Sequence, residues 1–585
     1  MKASLITGLV GVLGLAWVAG CGKPEPGAST AAALSKTNPG AHHETTAAAG
    51  AWFEDITDRS GVKFVHATGT NCFMPDQVGS GVVLFDFDRD GRLDLYCVQN
   101  GIDTPGAHSQ LFHQEADGTF HDVSKGSGTD LASRGMGAIA GDVNNDGFPD
   151  LVVTEYGAVR LLLNAGQGHF REVSREAGID DPRWAAPASF IDFDRDGRLD
   201  LVVGNYVDYD PTQKCQDVQG RPDFCSPQAF AGTATRLWRN ITPPGGGAPK
   251  FADVTASSGL ASSPGDALGL VCADFDGDGW PDIFVSDDGR PNRLFMNRHD
   301  GTFREEAAVR GVAFNAMGRT AANMGTAFAD GDGDGMGDLF VTHLAEEFHS
   351  YFRQDQRGIF LDSVAQAGLQ QSGWRGTGFG TVLVDFDADG APDLAQVNGL
   401  VRRATPGQTP VRAGVNAWWG RYAQRPQVFR NTGRGHFQDF SEVSPSFSGT
   451  AFVGRSLAVG DLDGDGAPDL VAGGLGGPAL LWRNRIAGRG HWVTLQLTEP
   501  RFGNREAIGA EAVVTAGGKR RWAVLQPATS YLSSHEPVLH FGLGAATALD
   551  SVEVQWADGS KETFPGGPAD RRLVLRHGEG RKVAP

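Results

Sequence analysis

Short apolar runs separated by acidic, glycine-rich turns make up most of the chain. Five of these runs, LYCVQN, LVVTEY, LVVGNY, IFVSDD and LFVTHL, directly follow an acidic turn. Apolar runs of this length, bounded by Gly, Asp and Asn, indicate β-strands rather than helices. The 82 Gly among 585 residues follow no collagen period and fit turn-rich β structure. We therefore predict an all-β protein.

The first fifty residues follow a different pattern. An apolar run from Leu5 to Val18 is too short for a comfortable membrane span and is typical of a signal peptide. The small residues Ala19-Gly20 directly before Cys21 resemble the lipobox of bacterial lipoproteins. We predict a signal peptide over 1–20, lipidation of Cys21 and a flexible tether over 21–50. The expected location is the outer membrane or cell surface, and a plain secretory signal is the alternative.

An acidic motif, D-x-[DN]-x-D-G-x-x-D, occurs seven times, beginning at residues 86, 142, 192, 274, 330, 385 and 461. Oxygen ligands at positions 1, 3 and 5, a Gly at 6, a backbone carbonyl at 7 and an Asp at 9 suit the hard cation Ca²⁺. An EF-hand would need Glu at position 12, where the first two loops have Cys97 and Val153. We expect up to seven bound Ca²⁺ ions.

The predicted calcium ligands share these five loop positions. Loop by loop they are Asp86, Asp88, Asp90, Arg92 and Asp94; Asp142, Asn144, Asp146, Phe148 and Asp150; Asp192, Asp194, Asp196, Arg198 and Asp200; Asp274, Asp276, Asp278, Trp280 and Asp282; Asp330, Asp332, Asp334, Met336 and Asp338; Asp385, Asp387, Asp389, Ala391 and Asp393; Asp461, Asp463, Asp465, Ala467 and Asp469. Crowded carboxylates repel one another, so calcium is expected to be required for folding. The net charge of −19 argues against a nucleic-acid partner.

A second repeat shares the period of the acidic loops. A Phe followed by an acidic-apolar stretch recurs, as in FEDIT at Phe53 and FHDVS at Phe120. Each unit is thus predicted to contain four short strands, and seven such units over 51–484 predict a seven-bladed β-propeller. The first Phe strand precedes the first loop, and none follows the seventh. Strand 53–58 is therefore expected to complete the last blade and close the ring.

These motifs carry a family resemblance. The acidic-loop blades resemble FG-GAP/VCBS repeats, and NREAIGAEAVV (504–514) with SYLSSHEPVLHFGLG (530–544) resembles the ASPIC/UnbV domain. Together they are similar to the cartilage-acidic-protein-like family. Residues 485–580 contain seven short alternating strands and predict a small antiparallel β domain. Its Arg501, Arg505, Arg520 and Arg521 suggest a surface that docks against blade seven.

Long insertions separate the second and third strands of blades three and six. Because alternate connections of an antiparallel meander lie at opposite ends, these insertions should lie on the face opposite the calcium loops. They carry the residues predicted to contact a ligand: Tyr206, Tyr209, Phe224, Trp418, Trp419, Arg421 and Tyr422. The alternative is that these segments pack on each other and plug the channel mouth.

The cysteines divide unevenly. Cys215 and Cys225 lie ten residues apart in the first insertion of an exported chain, so we predict a disulfide. Cys72 and Cys97 flank the first loop and could pair, whereas Cys272 lies in an apolar strand and is expected to be a buried small residue.

The sequence favours a binding protein over an enzyme. We find no GxSxG, HExxH or phosphate-binding loop. We expect a calcium-dependent adhesion or interaction scaffold for a protein or glycan partner, attached to the membrane by its lipid alone. An envelope enzyme with its site at the channel mouth, acting on glycans or small molecules, is the alternative.

Overall fold

A computed structural model describes residues 51–243, 247–403 and 409–583. The predicted signal peptide, Cys21 and the tether lie outside these residues. The prediction of an all-β protein is confirmed. None of the helices in the described ranges has the length and apolar character that a membrane crossing requires.

Residues 53–484 form seven sheets of one design, each with an antiparallel set of four strands. Strand β1 (Phe53–Asp55) precedes them. Sheet 1 holds β2 (Val82–Phe85), β3 (Asp94–Cys97), β4 (Gln110–Gln114) and β5 (Phe120–Asp122); sheet 2, β6 (Gly135–Gly141), β7 (Asp150–Glu155), β8 (Ala158–Asn164) and β9 (Phe170–Glu172); sheet 3, β10 (Ala185–Ile191) and β11 (Asp200–Asn205), then, after the small hairpin β12 (Cys215–Gln216) and β13 (Pro222–Asp223), β14 (Arg236–Asn240) and β15 (Phe251–Asp253).

The remaining four sheets repeat the design. Sheet 4 holds β16 (Ala267–Ala273), β17 (Asp282–Asp287), β18 (Arg293–Asn297) and β19 (Phe303–Glu305); sheet 5, β20 (Thr326–Ala329), β21 (Asp338–Val341), β22 (Ser350–Gln356) and β23 (Ile359–Asp362); sheet 6, β24 (Gly378–Val384), β25 (Asp393–Asn398), β26 (Gln427–Asn431) and β27 (Phe437–Asp439); sheet 7, β28 (Gly454–Gly460), β29 (Asp469–Gly474) and β30 (Leu480–Asn484). In sheet 7 the fourth strand is β1, which pairs antiparallel with β30.

The helices are single turns between strands. The α-helices are α1 (Ser174–Ala177), α2 (Ala307–Arg310) and α3 (Pro445–Ser448). The 3₁₀ turns are Thr57–Arg59, Met74–Gln77, Pro227–Ala229, Leu260–Ser262, Leu369–Gln371, Trp419–Tyr422, Ser441–Val443 and Pro500–Phe502.

Neighbouring sheets meet along their first strands. Contacts join β2 to β6, β6 to β10, β10 to β16, β16 to β20, β20 to β24, β24 to β28, and β28 to β2. Apolar cores fill the spaces between adjacent sheets; Val152 of sheet 2 and Leu201 of sheet 3 belong to one of them. In each sheet the acidic loop lies at one end of the strands, and the connection between the second and third strands lies at the other end. We call the side of the protein with the acidic loops the loop face and the opposite side, with the long insertions, the insertion face.

The C-terminal residues form two packed sheets around a second core. The first contains β31 (His491–Glu499), β32 (Arg505–Glu506), β36 (Leu539–Gly544) and β39 (Arg571–Arg576). The second contains β33 (Glu511–Ala516), β34 (Lys519–Val524), β37 (Ala548–Gln555), β38 (Lys561–Pro568) and β40 (Arg581–Lys582), and β35 (Ser533–Ser534) joins sheet 1 instead. We call residues 491–583 the tail.

The prediction of a purely antiparallel tail is wrong at one position. Strands β31 and β39 run parallel over six residue pairs, from Val493–Arg571 to Thr498–Arg576. The reason is topological. After β38 the chain crosses from the second sheet to the first, and it enters the first sheet beside β31 in the same direction.

Residues 526–536 of the tail, which we call the central segment, lie between the first strands of the seven sheets. Strand β35 pairs parallel with β2, and Ser530 exchanges two backbone hydrogen bonds with Thr326. The central segment contacts one residue or more in each sheet, in order Val82, Gly137, Phe190, Cys272, Thr326, Thr381 and Leu457.

Close packing around the central segment explains two of the glycines. A Cβ added to Gly137 would lie 2.9 Å from the Cβ of Leu532, and one added to Gly81 would lie 2.6 Å from the carbonyl oxygen of Leu532. Only glycine lets the strands approach this closely.

We predict that Leu532→Ala destabilises the whole protein by about 2–5 kcal/mol, because Leu532 is only 5% exposed and its removal leaves a cavity among several sheets. Urea unfolding measures the change. The matched control is Leu361→Ala, where the side chain is 54% exposed, and its effect should stay within about 0.5 kcal/mol. Equal unfolding midpoints for the two variants would contradict the packing role.

Candidate metal loops and the surfaces beside them

The seven acidic loops share one backbone conformation. In the first, the N–H groups of Asp90 and Gly91 donate to the carboxylate of Asp86, and the N–H of Arg92 donates to Asp90. The same three bonds recur in the other six loops. Every Gly at position 6 has a positive φ, between 79° and 97°, so the predicted sharp turn is present.

Position 4 of each loop is also left-handed, which our sequence analysis missed. Arg89, Asn145, Arg195 and Ala388 have φ values of 55° to 64°, and the other three loops have Gly there. The signal was visible in the sequences DFDGDG, DGDGDG and DLDGDG. Left-handed residues at positions 4 and 6 fold the loop around a small concavity lined by its carboxylates.

The Asp at position 9 ties each loop to the sheet. The carboxylate of Asp94 accepts the N–H groups of Phe87 at 3.1 Å and of Gln114, on β4, at 2.9 Å. Burial raises the pKa of Asp94 to about 8. Carboxylate oxygens of Asp86, Asp88 and Asp94 lie within 4.8 Å of one another, close enough to share one cation.

The donor set fits calcium. All the side-chain donors predicted for the loops are carboxylate or amide oxygens, which are the ligands that Ca²⁺ prefers. In loop 4 the buried Oδ1 of Asp276 has no hydrogen-bond partner among the described residues, and a bound cation would satisfy it. Burial also raises the pKa of Asp150, Asp200, Asp282, Asp393 and Asp469 well above the usual range.

A basic side chain from the third strand faces position 3 in several loops. Arg239 pairs with Asp194, Arg353 with Asp332, Arg430 with Asp387 and Arg483 with Asp463. In loop 1 the corresponding residue is His113, whose Nε2 lies 3.4 Å from Asp88. Sheet 2 has Leu163 at this place, and its loop carries the neutral Asn144. The tripeptide W-R-N or F-R-N in three of these strands, and F-R-Q in the fourth, was the signal available in the sequence.

The tail covers the loop face. Glu506 forms an ion pair with Arg89 of loop 1, and Arg505 Nη1 donates to Asn145 Oδ1 of loop 2 at 3.1 Å. Gly466 of loop 7 lies against the ring of Trp492, and Gly390 of loop 6 against Arg521. The tail therefore contacts loop 7, and the predicted docking against blade seven is one part of a wider contact. Because the central segment contacts all seven sheets, the tail lies beside several loops rather than beside one.

The structure brings four of the seven predicted ligand residues of the insertion face together, Phe224, Trp418, Trp419 and Tyr422, and buries three of these four. Trp419 and Tyr422 are fully buried, and Phe224 is 7% exposed. Their rings pack with Trp418 at centroid distances of 4.8 to 6.1 Å, and the Tyr422 hydroxyl donates to Asp223 at 3.0 Å.

The other three predicted residues differ in exposure. Tyr206 is 3% exposed and donates to Asp288 at 2.6 Å. Tyr209 is half-buried and its hydroxyl accepts the N–H of Met74 at 3.3 Å. Arg421 is exposed. Ligand contact by the four buried side chains would require rearrangement, so their burial favours the alternative of insertions that pack on each other.

The predicted disulfide is present. Cys215 and Cys225 form a bond of 2.06 Å that staples the first insertion around the β12–β13 hairpin. Cys72 and Cys97 are not bonded, and Cys97 and Cys272 are buried in their strands. Burial raises the pKa of the Cys272 thiol to about 12, which leaves this residue unreactive, as expected for a small core residue.

Two family models match this chain, one in the region of the seven sheets and one in the tail. The FG-GAP-like repeat model matches residues 86–153, 142–203, 274–341 and 417–472. The ASPIC and UnbV model matches residues 501–582. The chain carries FG-GAP-like repeats followed by an ASPIC and UnbV segment.

The chain is similar in sequence to cartilage acidic protein 1 from two species. Cartilage acidic protein 1 from Xenopus tropicalis is 25% identical over 83% of this chain and 71% of its own length. Cartilage acidic protein 1 from Homo sapiens is 28% identical over 52% of this chain and 43% of its own length. FG-GAP-like repeats with an ASPIC and UnbV segment suggest an extracellular interaction protein.

Among solved structures, one from Agrocybe aegerita, described as recognising non-reducing terminal N-acetylglucosamine, aligns with a TM-score of 0.36 at 16% identity. It covers 69% of this chain and 85% of that chain. A TM-score this low carries no argument about function.

We predict that calcium raises the melting temperature of the protein strongly relative to chelator. Each occupied site adds about 2.7 kcal/mol at a hundredfold excess of free calcium over its dissociation constant. Calorimetry in millimolar calcium and in EDTA measures the shift. Asp385→Asn should reduce it, whereas Asp117→Asn, outside the loops, should not. Identical melting curves with and without calcium would refute the assignment of the loops.

We also predict that, in chelator, the free energy of unfolding of the protein falls as the pH rises from 6.5 to 8. The folded state raises the pKa of Asp94 and Asp338 to about 8, whereas the unfolded chain has already lost these protons. Folding therefore binds protons in this window, and raising the pH removes that stabilisation. Buried His66, whose folded pKa is about 3, takes up protons only in the unfolded chain near pH 6.5, and this opposing contribution disappears as the pH rises and is smaller than that of the several aspartates with raised pKa values. Urea midpoints at each pH test this, and midpoints that rise with pH would contradict it.

Proposed function

We propose that this protein is an exported, lipid-anchored, calcium-binding interaction scaffold that holds a protein or glycan partner on its insertion face. In this proposal residues 1–20 are a signal peptide, Cys21 carries the lipid and 21–50 form the tether. Residues 51–484 form a seven-bladed propeller, and residues 485–580 form the ASPIC/UnbV-like domain. Calcium, where bound, rigidifies the loops and neutralises their carboxylates.

The propeller assignment is supported by the order of contacts between the first strands. Each sheet contacts the next, β28 of the last sheet contacts β2 of the first, and β1 supplies the outer strand of the last sheet. A ring closed by pairing β1 with β30, from the first and last parts of residues 51–484, leaves no sheet pair open to slip apart.

The single observation that carries the functional proposal is the position of the tail. The tail covers the loop face, and the central segment lies in the middle of the first strands. The insertion face is then the broad surface left for a partner. Long ordered insertions on a rigid scaffold are a common location for binding residues.

Several side chains on the insertion face are available for contact. Val218, at the tip of the stapled hairpin, is 95% exposed, and Arg421 is also exposed. Trp418 is half-buried against Phe224 and leaves part of its ring free. An Arg and an aromatic ring on a preorganised surface are typical of binding hot spots.

The packing supports a scaffold over an enzyme at the channel mouth. Tyr531 and Leu532 of the central segment pack there with Met136, Trp184 and Phe379, and the Tyr531 hydroxyl donates to the carbonyl of Val78 at 3.3 Å. Side chains therefore occupy the volume in which such a site would have to form.

We predict that a Val218→Asp/Arg421→Glu variant loses its partner without a change in melting temperature. The measurement is capture of envelope proteins and binding to a glycan array by residues 51–585 in millimolar calcium. Both positions are exposed, so the substitutions should leave the fold intact. The matched control is Arg520→Glu on the tail, which should bind as the parent does. Equal binding by the insertion-face variant and the parent would overturn the face assignment.

A further inference from the structure

A cavity of about 210 Å³ lies between the tail and sheets 5, 6 and 7. Its floor includes the side chains two positions before loops 5 and 7, Phe328 and Val459, which are partly exposed, and the side chain of Val384 directly before loop 6. The corresponding residues of sheets 3 and 4, Phe190 and Cys272, are buried beneath the tail. The tail thus packs closely over sheets 3 and 4 and leaves a partly open space over sheets 5, 6 and 7.

The roof of the cavity is strand β34. Its last four residues, from Arg521 to Val524, are only half-buried although the strand lies between the tail core and the sheets. The Trp522 ring stands nearly perpendicular to Phe328 at a centroid distance of 5.9 Å. Its indole N–H donates to Glu511 at 2.9 Å, which fixes the ring as a wall. Most of the lining is apolar.

The acidic groups of the lining are already engaged. Asp385 accepts the N–H groups of Asp389 and Gly390 in its own loop, at 3.1 and 2.7 Å. Asp330 and Asp461 are held in the same way by theirs. Glu536 forms an ion pair with Arg572 at 2.9 Å.

One cation of the lining has no carboxylate within ion-pair distance in the described ranges, and only the more distant charges of Asp385 and Asp389 in loop 6 act on it. Arg520 points outward and pairs with Glu553 at 2.8 Å. Arg521, the next residue, forms no ion pair within the described ranges, and its Nε and Nη1 are buried without a hydrogen-bond partner there. A buried guanidinium without a partner is unfavourable, and a carboxylate satisfies its planar donors best.

We propose that this cavity binds a small organic anion with an apolar body, whose acidic group pairs with Arg521 while the body packs against Phe328 and Trp522. The volume fits such a molecule, because an engineered apolar cavity of about 150 Å³ already holds benzene. This inference is independent of the proposed scaffold function, since the cavity lies on the loop side and the partner surface lies on the insertion side.

The test uses phenylacetate and its neutral isostere phenylacetamide as probes for residues 51–585, with binding followed by saturation-transfer NMR and calorimetry. We expect saturable binding of phenylacetate, and binding of the amide about tenfold weaker, because the amide carries no charge and offers the guanidinium one acceptor oxygen instead of two. Arg521→Gln should weaken phenylacetate about tenfold, while the matched Arg520→Gln leaves it unchanged. Ala523→Phe should fill the cavity and abolish binding of both probes.

Three results would overturn the proposal: no saturable binding of phenylacetate, equal affinity for the acid and the amide, or equal loss in Arg521→Gln and Arg520→Gln. Melting temperatures of the variants show whether each remains folded. If Ala523→Phe fails to fold, the Arg521 and Arg520 pair still decides the outcome. Capture of a partner on the insertion face is a separate readout and can fail without affecting this one.

Discussion

The contact of the central segment with the first strands of all seven sheets is the interaction on which the rest of the structure depends. Residues 526–536 belong to the tail in sequence but pair with β2 and Thr326 inside the sheets. Leu532 packs so closely against Gly81 and Gly137 that neither position has room for a Cβ atom. The segment and the strands around it are therefore complementary in shape. This insertion holds the tail over the loop face, so neither half completes its packing alone.

Electrostatics set the second constraint. Seven clusters of carboxylates lie on the face that the tail covers, and arginines from both halves are placed among them: Arg353 and Arg430 from the sheets, Arg505 and Arg521 from the tail. These basic groups reduce the repulsion between carboxylates but leave buried aspartates with raised pKa values. Cation binding at the loops and docking of the tail therefore act on the same surface.

Much of this architecture was predictable from sequence, because each copy of a repeated motif predicts the same local structure. The loops, the four strands per sheet, the position of the insertions and the Cys215–Cys225 bond follow from periodicity and spacing. The central segment does not, since SYLSSHEP has no periodicity and its partners are hundreds of residues away. Burial of Trp419 and Tyr422 was likewise invisible, because exposure depends on how two distant insertions pack.

Hydrogen–deuterium exchange of residues 526–536 in the intact chain is the most direct test of the central claim. The N–H groups of Ser530 and Glu536, which donate to the carbonyls of Thr326 and Val459, should exchange as slowly as those of β2 and become accessible only when the whole protein unfolds. Rapid exchange of this segment, while β2 and the neighbouring strands remain protected, would show that the tail does not hold the sheets and would contradict the account.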